Sequence, residues 1–174
     1  MDLAGFIRNI PDFPKPGIQF KDITTLLDNA EAFRESVDRM TDFCRDRNID
    51  RVVAIEARGF IFGAPVAYRI GAGVSLVRKK GKLPSDTLCA TYELEYGEDE
   101  LELHTGSVKP GERVVIIDDL LATGGTVRAA MDLMEKIPAE VDGACFLIEL
   151  QGLGGREKLG DIRVESLIKY KDCG

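Results

Sequence analysis

Val114-Val115-Ile116-Ile117-Asp118-Asp119-Leu120-Leu121-Ala122-Thr123-Gly124-Gly125-Thr126 is the stretch that decides the fold. Its four β-branched residues, uninterrupted by polar ones, suit a strand buried on both faces of a parallel sheet. Two carboxylates and a Thr-Gly-Gly-Thr turn follow at the carboxyl end of that strand. In open α/β sheets this edge binds ligands, because each strand there hands over to a helix whose first N–H groups lack partners. Beyond the glycines, Val127, Ala130, Met131, Met134 and Ile137 recur at helical spacing and Pro138 closes the helix. The spacing therefore predicts residues 122–126 at a helix N-terminus.

Gly124 and Gly125 let a ligand approach the backbone, and free amides with roughly half a unit of positive helix charge favour an anion such as a phosphomonoester. Thr123 and Thr126 add hydroxyl donors, and Ala122 opens the loop. Asp118 and Asp119 would repel a phosphate they touched, so they are expected to accept hydrogen bonds from neutral hydroxyls beside it, as on a ribose. A ribose 5-phosphate satisfies both halves. These residue types also leave open a strand, an acidic turn and a helix cap with no ligand.

The alternation continues through the chain. Phe33, Val37, Met40 and Phe43 or Cys44 recur at helical spacing, and Val52-Val53-Ala54-Ile55 is a second buried-strand candidate. Residues 60–70 can be helical despite Gly63 and Pro65, residues 74–77 extended, and residues 144–150 another apolar strand. Strands alternating with helices predict an α/β fold with a mostly parallel sheet flanked by helices. Pro11, Pro14, Pro16 and Gly17 make an irregular N-terminal segment that is expected to lie over something. Residues 78–103 carry a basic run, then Glu93, Glu95, Glu98, Asp99 and Glu100, with few apolar residues; they read as a long, exposed, mobile excursion.

With no repeat and no linker, the 174 residues are consistent with one domain, able to bury about 70% of its unfolded surface without metal or disulfides. The 23 basic and 30 acidic side chains leave a net charge of −7, which disfavours nonspecific contact with nucleic acid or an anionic membrane. Any anion site is then a local patch. Cys44, Cys89, Cys145 and Cys173 form no Cys-x-x-Cys pair and read as reduced cytosolic thiols. The N-terminus lacks a signal-peptide pattern, and nothing approaches the about 20 apolar residues of a membrane span, so a soluble cytoplasmic protein is expected. Gly71-Ala72-Gly73 lacks a third glycine and follows a helix, so it is no dinucleotide fingerprint. His104, the only histidine, lies on an acidic segment and reads as inert. Gly152-Leu153-Gly154-Gly155 before Arg156 reads as a flexible turn, either bordering a base pocket or merely connecting elements.

Glu56-Ala57-Arg58-Gly59 follows the second strand as the aspartates follow the later one, which places Arg58 at the same edge. There its planar fork could clamp a diphosphate, or it could simply cap a turn or pair with Glu56. Arg78, Lys79, Lys80 and Lys82 crowd four cations into five positions of an acidic chain. Aimed at a leaving pyrophosphate they would lower a barrier; otherwise they balance the acidic stretch that follows. Phe20 is either a core anchor or a face on which a base stacks.

From Val114 to Thr126 every position matches the phosphoribosyl pyrophosphate motif of the type I phosphoribosyltransferases. Nearly the whole chain resembles the adenine-using branch of that family, through Phe13-Pro14-Lys15-Pro16-Gly17-Ile18-Gln19-Phe20-Lys21-Asp22-Ile23, Glu56-Ala57-Arg58-Gly59-Phe60, Arg78-Lys79-Lys80-Gly81-Lys82-Leu83-Pro84 and Tyr92-Glu93-Leu94-Glu95-Tyr96-Gly97. The resemblance implies the type I phosphoribosyltransferase fold over 1–174, with a small N-terminal hood at about 1–28 and a flexible catalytic loop at about 78–103. It implies transfer of the 5-phosphoribosyl group from phosphoribosyl pyrophosphate to adenine, giving AMP and pyrophosphate in purine salvage. Magnesium is implied as the cofactor, held mainly by the diphosphate and ribose hydroxyls, and a homodimer as the assembly.

For individual residues the resemblance implies that Ala57 and Arg58 bind pyrophosphate, in a turn with a strained peptide between its first two residues, helped by Arg78, Lys79 and Lys82. It sets Phe20 on the purine ring with backbone groups near Gln19 reading the adenine edge, and gives Glu95 proton transfer at the purine imidazole. Lys21 stands where the family also has arginine; an ammonium and a guanidinium are not equivalent, which leaves its role open between base contact and structure. Two other readings stand beside this one: an enzyme for 6-oxopurines or xanthine, and a regulator that senses phosphoribosyl pyrophosphate while binding nucleic acid. The second is opposed by the negative charge and by the lack of room for a helix-turn-helix module before the core.

Overall fold

The structure, a computed structural model, describes residues 1–94 and 97–171. In chain order the strands and helices are β1 (Arg8–Ile10), β2 (Phe20–Asp22), α1 (Thr24–Leu27), α2 (Ala30–Cys44), β3 (Arg51–Ile55), α3 (Gly59–Ile70), β4 (Gly73–Lys79), β5 (Thr87–Glu93), β6 (Glu98–His104), β7 (Arg113–Leu121), α4 (Gly125–Lys136), β8 (Glu140–Leu150) and β9 (Arg163–Tyr170). Short 3-10 turns occupy Leu3–Phe6, Gln151–Leu153 and Gly155–Leu159. The main sheet has the order β5-β6-β4-β3-β7-β8-β9. Its strands β4, β3, β7, β8 and β9 run parallel, and the β5–β6 hairpin joins the β4 edge antiparallel.

The apolar quartet behaves as its composition demands. Val114 and Ile116 face a core shared with α4, while Val115 and Ile117 face one shared with α2 and α3, and all four are fully buried. β3 divides in the same way, with Val53 and Ile55 on one side and Val52 on the other. Each face therefore has a helical cover, as both-face apolar strands require. On α2, Ala32, Val37, Met40 and Cys44 form the buried stripe, and the Asn29 side chain caps the start by accepting from the Glu31 and Ala32 amides. α3 lies so close to β3 that a Cβ on Gly63 would come within 2.6 Å of Ala54.

Two expectations need correction. The carboxylates do not follow the central strand; β7 runs on to Leu121, because Asp118, Leu120 and Leu121 keep pairing with Phe146, Ile148 and Glu149 of β8. Residues 78–103 are not one exposed excursion either. Thr87 to Glu93 pair one for one with His104 to Glu98, and Ala90, Leu101 and Leu103 are buried against α4's core. A period of two hid those apolar residues among charges that point the other way.

The Pro-rich segment folds into a separate two-stranded ribbon, β1 with β2, pinned by the Arg8 fork on Asp22. The Thr24 amide, Arg8 and the Thr24 hydroxyl, in that order, outweigh desolvation and bring the Asp22 carboxyl down to about 2. Beside the ribbon, Leu3, Ile23 and Leu26 reach into the core, so the N-terminal segment is anchored to the main sheet's domain. No helix among the described residues is long and apolar enough to cross a membrane.

Candidate active site

The chain leaves β3 through α3 on one face of the sheet and leaves β7 through α4 on the other. β3 and β7 are neighbours, so a crevice opens between their carboxyl ends, at the point where an open α/β sheet changes winding direction. A cleft of ≈ 360 Å³ occupies it, lined by Glu56, Ala57, Arg58, Lys79 and Tyr92 on one side, and by Asp118, Asp119 and residues 120–127 on the other. Residues distant in sequence meet here because parallel strands bring all their carboxyl ends to one edge.

Across the crevice Arg58 Nε lies 2.9 Å from Asp119 Oδ2. Asp118 turns back on its own strand and accepts the Asp119 N–H through Oδ1 at 2.8 Å. A Cβ on Gly59 would stand 2.9 Å from that same Oδ1 and from the Ile117 carbonyl, so α3 can start here only with a glycine. Burial, and next the charge of Asp119, push the Asp118 carboxyl well above the usual range. Burial also raises Asp119, opposed by Arg58. The member paired with Arg58 is the one better able to hold a negative charge.

The loop after β7 is held from below. Gly124 has φ +80 and caps α4, and a Cβ on it would meet the Gly155 carbonyl at 2.5 Å. The contact is mutual, since a Cβ on Gly155 would lie 2.2 Å from the Ala122 carbonyl and 2.9 Å from the Gly124 nitrogen. Glycine at both positions lets two backbones touch. The loop is thereby set with Thr123, Gly125 and Thr126 along the cleft.

The basic run is divided in its roles. Lys79 lines the cleft, with its ammonium 3.6 Å from Asp99. Arg78 instead faces Glu56, with both nitrogens at 3.3 Å, and the Lys79 amide donates to the same carboxylate at 2.9 Å. Burial works to raise Glu56, but the Lys79 N–H and the Arg78 guanidinium hold its carboxyl below the usual range. Lys82 supplies a carbonyl to Arg78 and Lys80 pairs with Glu100. Neither Arg78 nor Lys82 lines the cleft, and the peptide bond between Glu56 and Ala57 is cis.

The hood approaches the site through Arg58, whose guanidinium carbon sits 5.5 Å from the Phe20 ring centroid. Phe13 packs edge-on against the same ring at 5.1 Å. Asn9 ties the neighbours together, giving an amide N–H to Gln19 at 2.7 Å and accepting from the Lys21 ammonium at 2.9 Å. Lys21 also stands 4.2 Å over the Tyr170 ring. Glu95 lies outside the described residues.

A model of the phosphoribosyl transferase domain matches residues 22–170. The adenine phosphoribosyltransferase of Clostridium acetobutylicum is 57% identical over 170 residues, covering 98% of this chain and 99% of that protein. This chain belongs to the adenine phosphoribosyltransferase family. The family's solved structure from Thermoanaerobacter pseudethanolicus is similar with a TM-score of 0.93 at 53% identity, over 97% of this chain and 98% of that one. The Saccharomyces cerevisiae member, in complex with D-2,5-dideoxy-2,5-imino-altritol 1,6-bisphosphate and adenine, gives 0.89 at 37% identity, over 95% and 96%. The architecture is thus the type I phosphoribosyltransferase fold that the central motif implied.

Within this family frame, three contributors had no clear signal in the sequence. Tyr92 packs 3.5 Å from where a Gly125 Cβ would be and donates its hydroxyl to Asp99 at 3.0 Å; burial and then Asp99 push its phenol up to about 12. Asn9 links the hood residues. Gly155 shapes the loop, and the glycine-rich turn was the only hint of it.

Proposed function

We propose that the cleft transfers the 5-phosphoribosyl group from phosphoribosyl pyrophosphate to adenine, releasing pyrophosphate and forming AMP. One observation carries this reading: the pairing of Arg58 with Asp119 across the crevice, next to the amide loop that opens α4. It sets a cation for the departing diphosphate, two acids for the ribose and free N–H groups for the 5-phosphate within one ≈ 360 Å³ space.

The reaction is a displacement at the anomeric carbon. The bond from that carbon to the pyrophosphate oxygen breaks, leaving its electron pair on pyrophosphate, and a bond to an adenine imidazole nitrogen forms. The ribosyl centre is cationic in between. Asp118 and Asp119 accept from the ribose hydroxyls and stabilise that charge, while Arg58 and Lys79, with the Ala57 turn, take up the leaving anion. Arg78 and Lys82 act one step back by holding Glu56 and the shape of this turn. Ala122, Thr123, Gly124, Gly125 and Thr126 grip the 5-phosphate. Phe20 stacks on adenine, backbone groups near Gln19 read its edge and Lys21 steadies the hood. Glu95 removes the imidazole proton; Glu95→Gln should slow single-turnover chemistry by about a hundredfold or more, and an unchanged rate would remove Glu95 from the mechanism.

Magnesium fits as a companion of the substrate. Among the described residues no three acidic, histidine or cysteine side chains gather into a cage, while Asp118 and Asp119 offer two carboxylates able to reach the ion through water. This suits a cation that keeps water and substrate oxygens, and when bound it offsets the diphosphate charge. A homodimer is supported by an uncovered apolar surface: Ile61 and Tyr68 of α3 and Val74 and Leu76 of β4 are exposed, Tyr68 at 89%. A cytoplasmic location agrees with Cys44, Cys89 and Cys145 all being free thiols.

The deciding experiment incubates the protein with magnesium, phosphoribosyl pyrophosphate and each of adenine, hypoxanthine, guanine and xanthine, and identifies the nucleotide. AMP from adenine alone is expected. A nucleotide from a 6-oxopurine instead, or none at all, would overturn the reading.

A further inference from the structure

We propose that Glu149 and Arg156 are positioning residues for the phosphate-binding loop, acting on it through Gly155. The proposal rests on the reading of residues 122–126 as a phosphate cradle and names what sets the cradle's shape.

Glu149 is only 3% exposed, near the end of β8, where it pairs in register with Leu121, the residue just before the loop. A charge so placed needs a partner, and Arg156 supplies both prongs of its fork, Nε to Oε1 at 2.9 Å and Nη2 to Oε2 at 2.5 Å. Arg156 also donates from Nη1 to the Val164 carbonyl of β9 at 3.0 Å and from Nη2 to Ser166 Oγ at 3.4 Å. One guanidinium is therefore fastened to two neighbouring strands of the rigid sheet.

The residue immediately before it is Gly155. Its backbone touches Ala122 and Gly124 so closely that no side-chain carbon fits on either glycine. Gly154, with φ +66, turns the chain into this contact. Displacing the turn moves the floor of the loop, since nothing softer than backbone separates them. The fork holds the turn down, and the turn holds the amides that face the cleft. Arg156 and Glu149 lie outside the cleft lining, and the guanidinium is engaged with Glu149, the Val164 carbonyl and Ser166, so the pair acts from behind the loop.

A mere fold staple would affect stability and all ligands alike, whereas a positioning pair affects the ligand that occupies the loop. Arg156→Lys keeps a positive charge for Glu149 but loses the planar fork. Calorimetry should show AMP binding weakened about tenfold, with the KM for phosphoribosyl pyrophosphate rising in parallel. Inorganic pyrophosphate with magnesium, and the KM for adenine, should stay within about twofold of the parent. Gly155→Ala leaves the ion pair intact and should give the same split more strongly, and it is read in place of Arg156→Lys if that variant does not fold. Parental AMP affinity in folded variants, or equal loss of AMP and pyrophosphate binding, would overturn the proposal. A parent protein that binds no AMP would instead overturn the cradle reading itself.

Discussion

The turns that end β3 and β7 face each other across one crevice, yet they are built in opposite ways. The β3 turn presents side chains: Arg58 is neutralised by Asp119, and Glu56 is held by Arg78 and the Lys79 amide. The β7 turn presents backbone, with Gly124 seated on Gly155 and the start of α4 left without a side-chain cap. On the proposed function, binding at the first would require Arg58 to exchange a carboxylate for a diphosphate, so part of the gain would offset a lost ion pair. On the same proposal, binding at the second would add hydrogen bonds to a helix start that no side chain caps. One kind of strand-turn-helix connection would, on that proposal, serve as an exchangeable electrostatic clamp on one side and a preformed cradle on the other.

The largest expected effect comes from the residues that belong to both halves. Asp118→Asn combined with Asp119→Asn should lower turnover about a thousandfold while the protein still melts cooperatively; near-parental activity in a folded double variant would show that the acids do not act on the ribosyl centre. Next, Arg58→Gln should weaken magnesium pyrophosphate binding by about ten- to a hundredfold and change AMP binding much less. Calorimetry with both ligands checks this, and equal losses would erase the distinction between clamp and cradle. Thr126→Val is the mirror case: AMP and phosphoribosyl pyrophosphate should both bind about tenfold more weakly, with pyrophosphate unaffected.

The smallest effect sharpens the comparison through pH. Asp118 has a folded-state pKa raised by burial and then by the charge of Asp119, so ionising it costs more in the native protein than in the unfolded chain. Its contribution to stability is complete below the unfolded carboxylate value of about 3.9 and is lost as pH rises through the higher folded value. Asp118→Asn removes that loss. The ligand-free variant should therefore melt above the parent near pH 7, with the gap closing toward pH 4. A variant that melts lower at neutral pH would show that the Asp118 charge stabilises the empty site.

The legibility of these regions differs for a physical reason. β7 and α4 were readable because apolar runs, glycines and helical spacing are local patterns, and local patterns dictate local structure. The β5–β6 hairpin was not, since Ala90, Leu101 and Leu103 are sparse among charges and show their alternation only once α4 covers one face. The basic run misled for a related reason: charge is visible in sequence, but the partners of Arg78 and Lys80, Glu56 and Glu100, are found only after the strands pair. β9, an edge strand of the main sheet, has no uninterrupted apolar run to announce it.

By itself the sequence determined an α/β chain with a glycine-bearing helix start beside two acids, because those properties depend on residue types a few positions apart. Tertiary structure alone decided that Arg58 would meet Asp119, that Asn9 would join Gln19 to Lys21, and that Gly155, fastened by Arg156, would underlie the loop. Each is a contact between segments remote in the chain. Their meeting follows from strand order and close backbone packing, which become defined only when the whole sheet has formed.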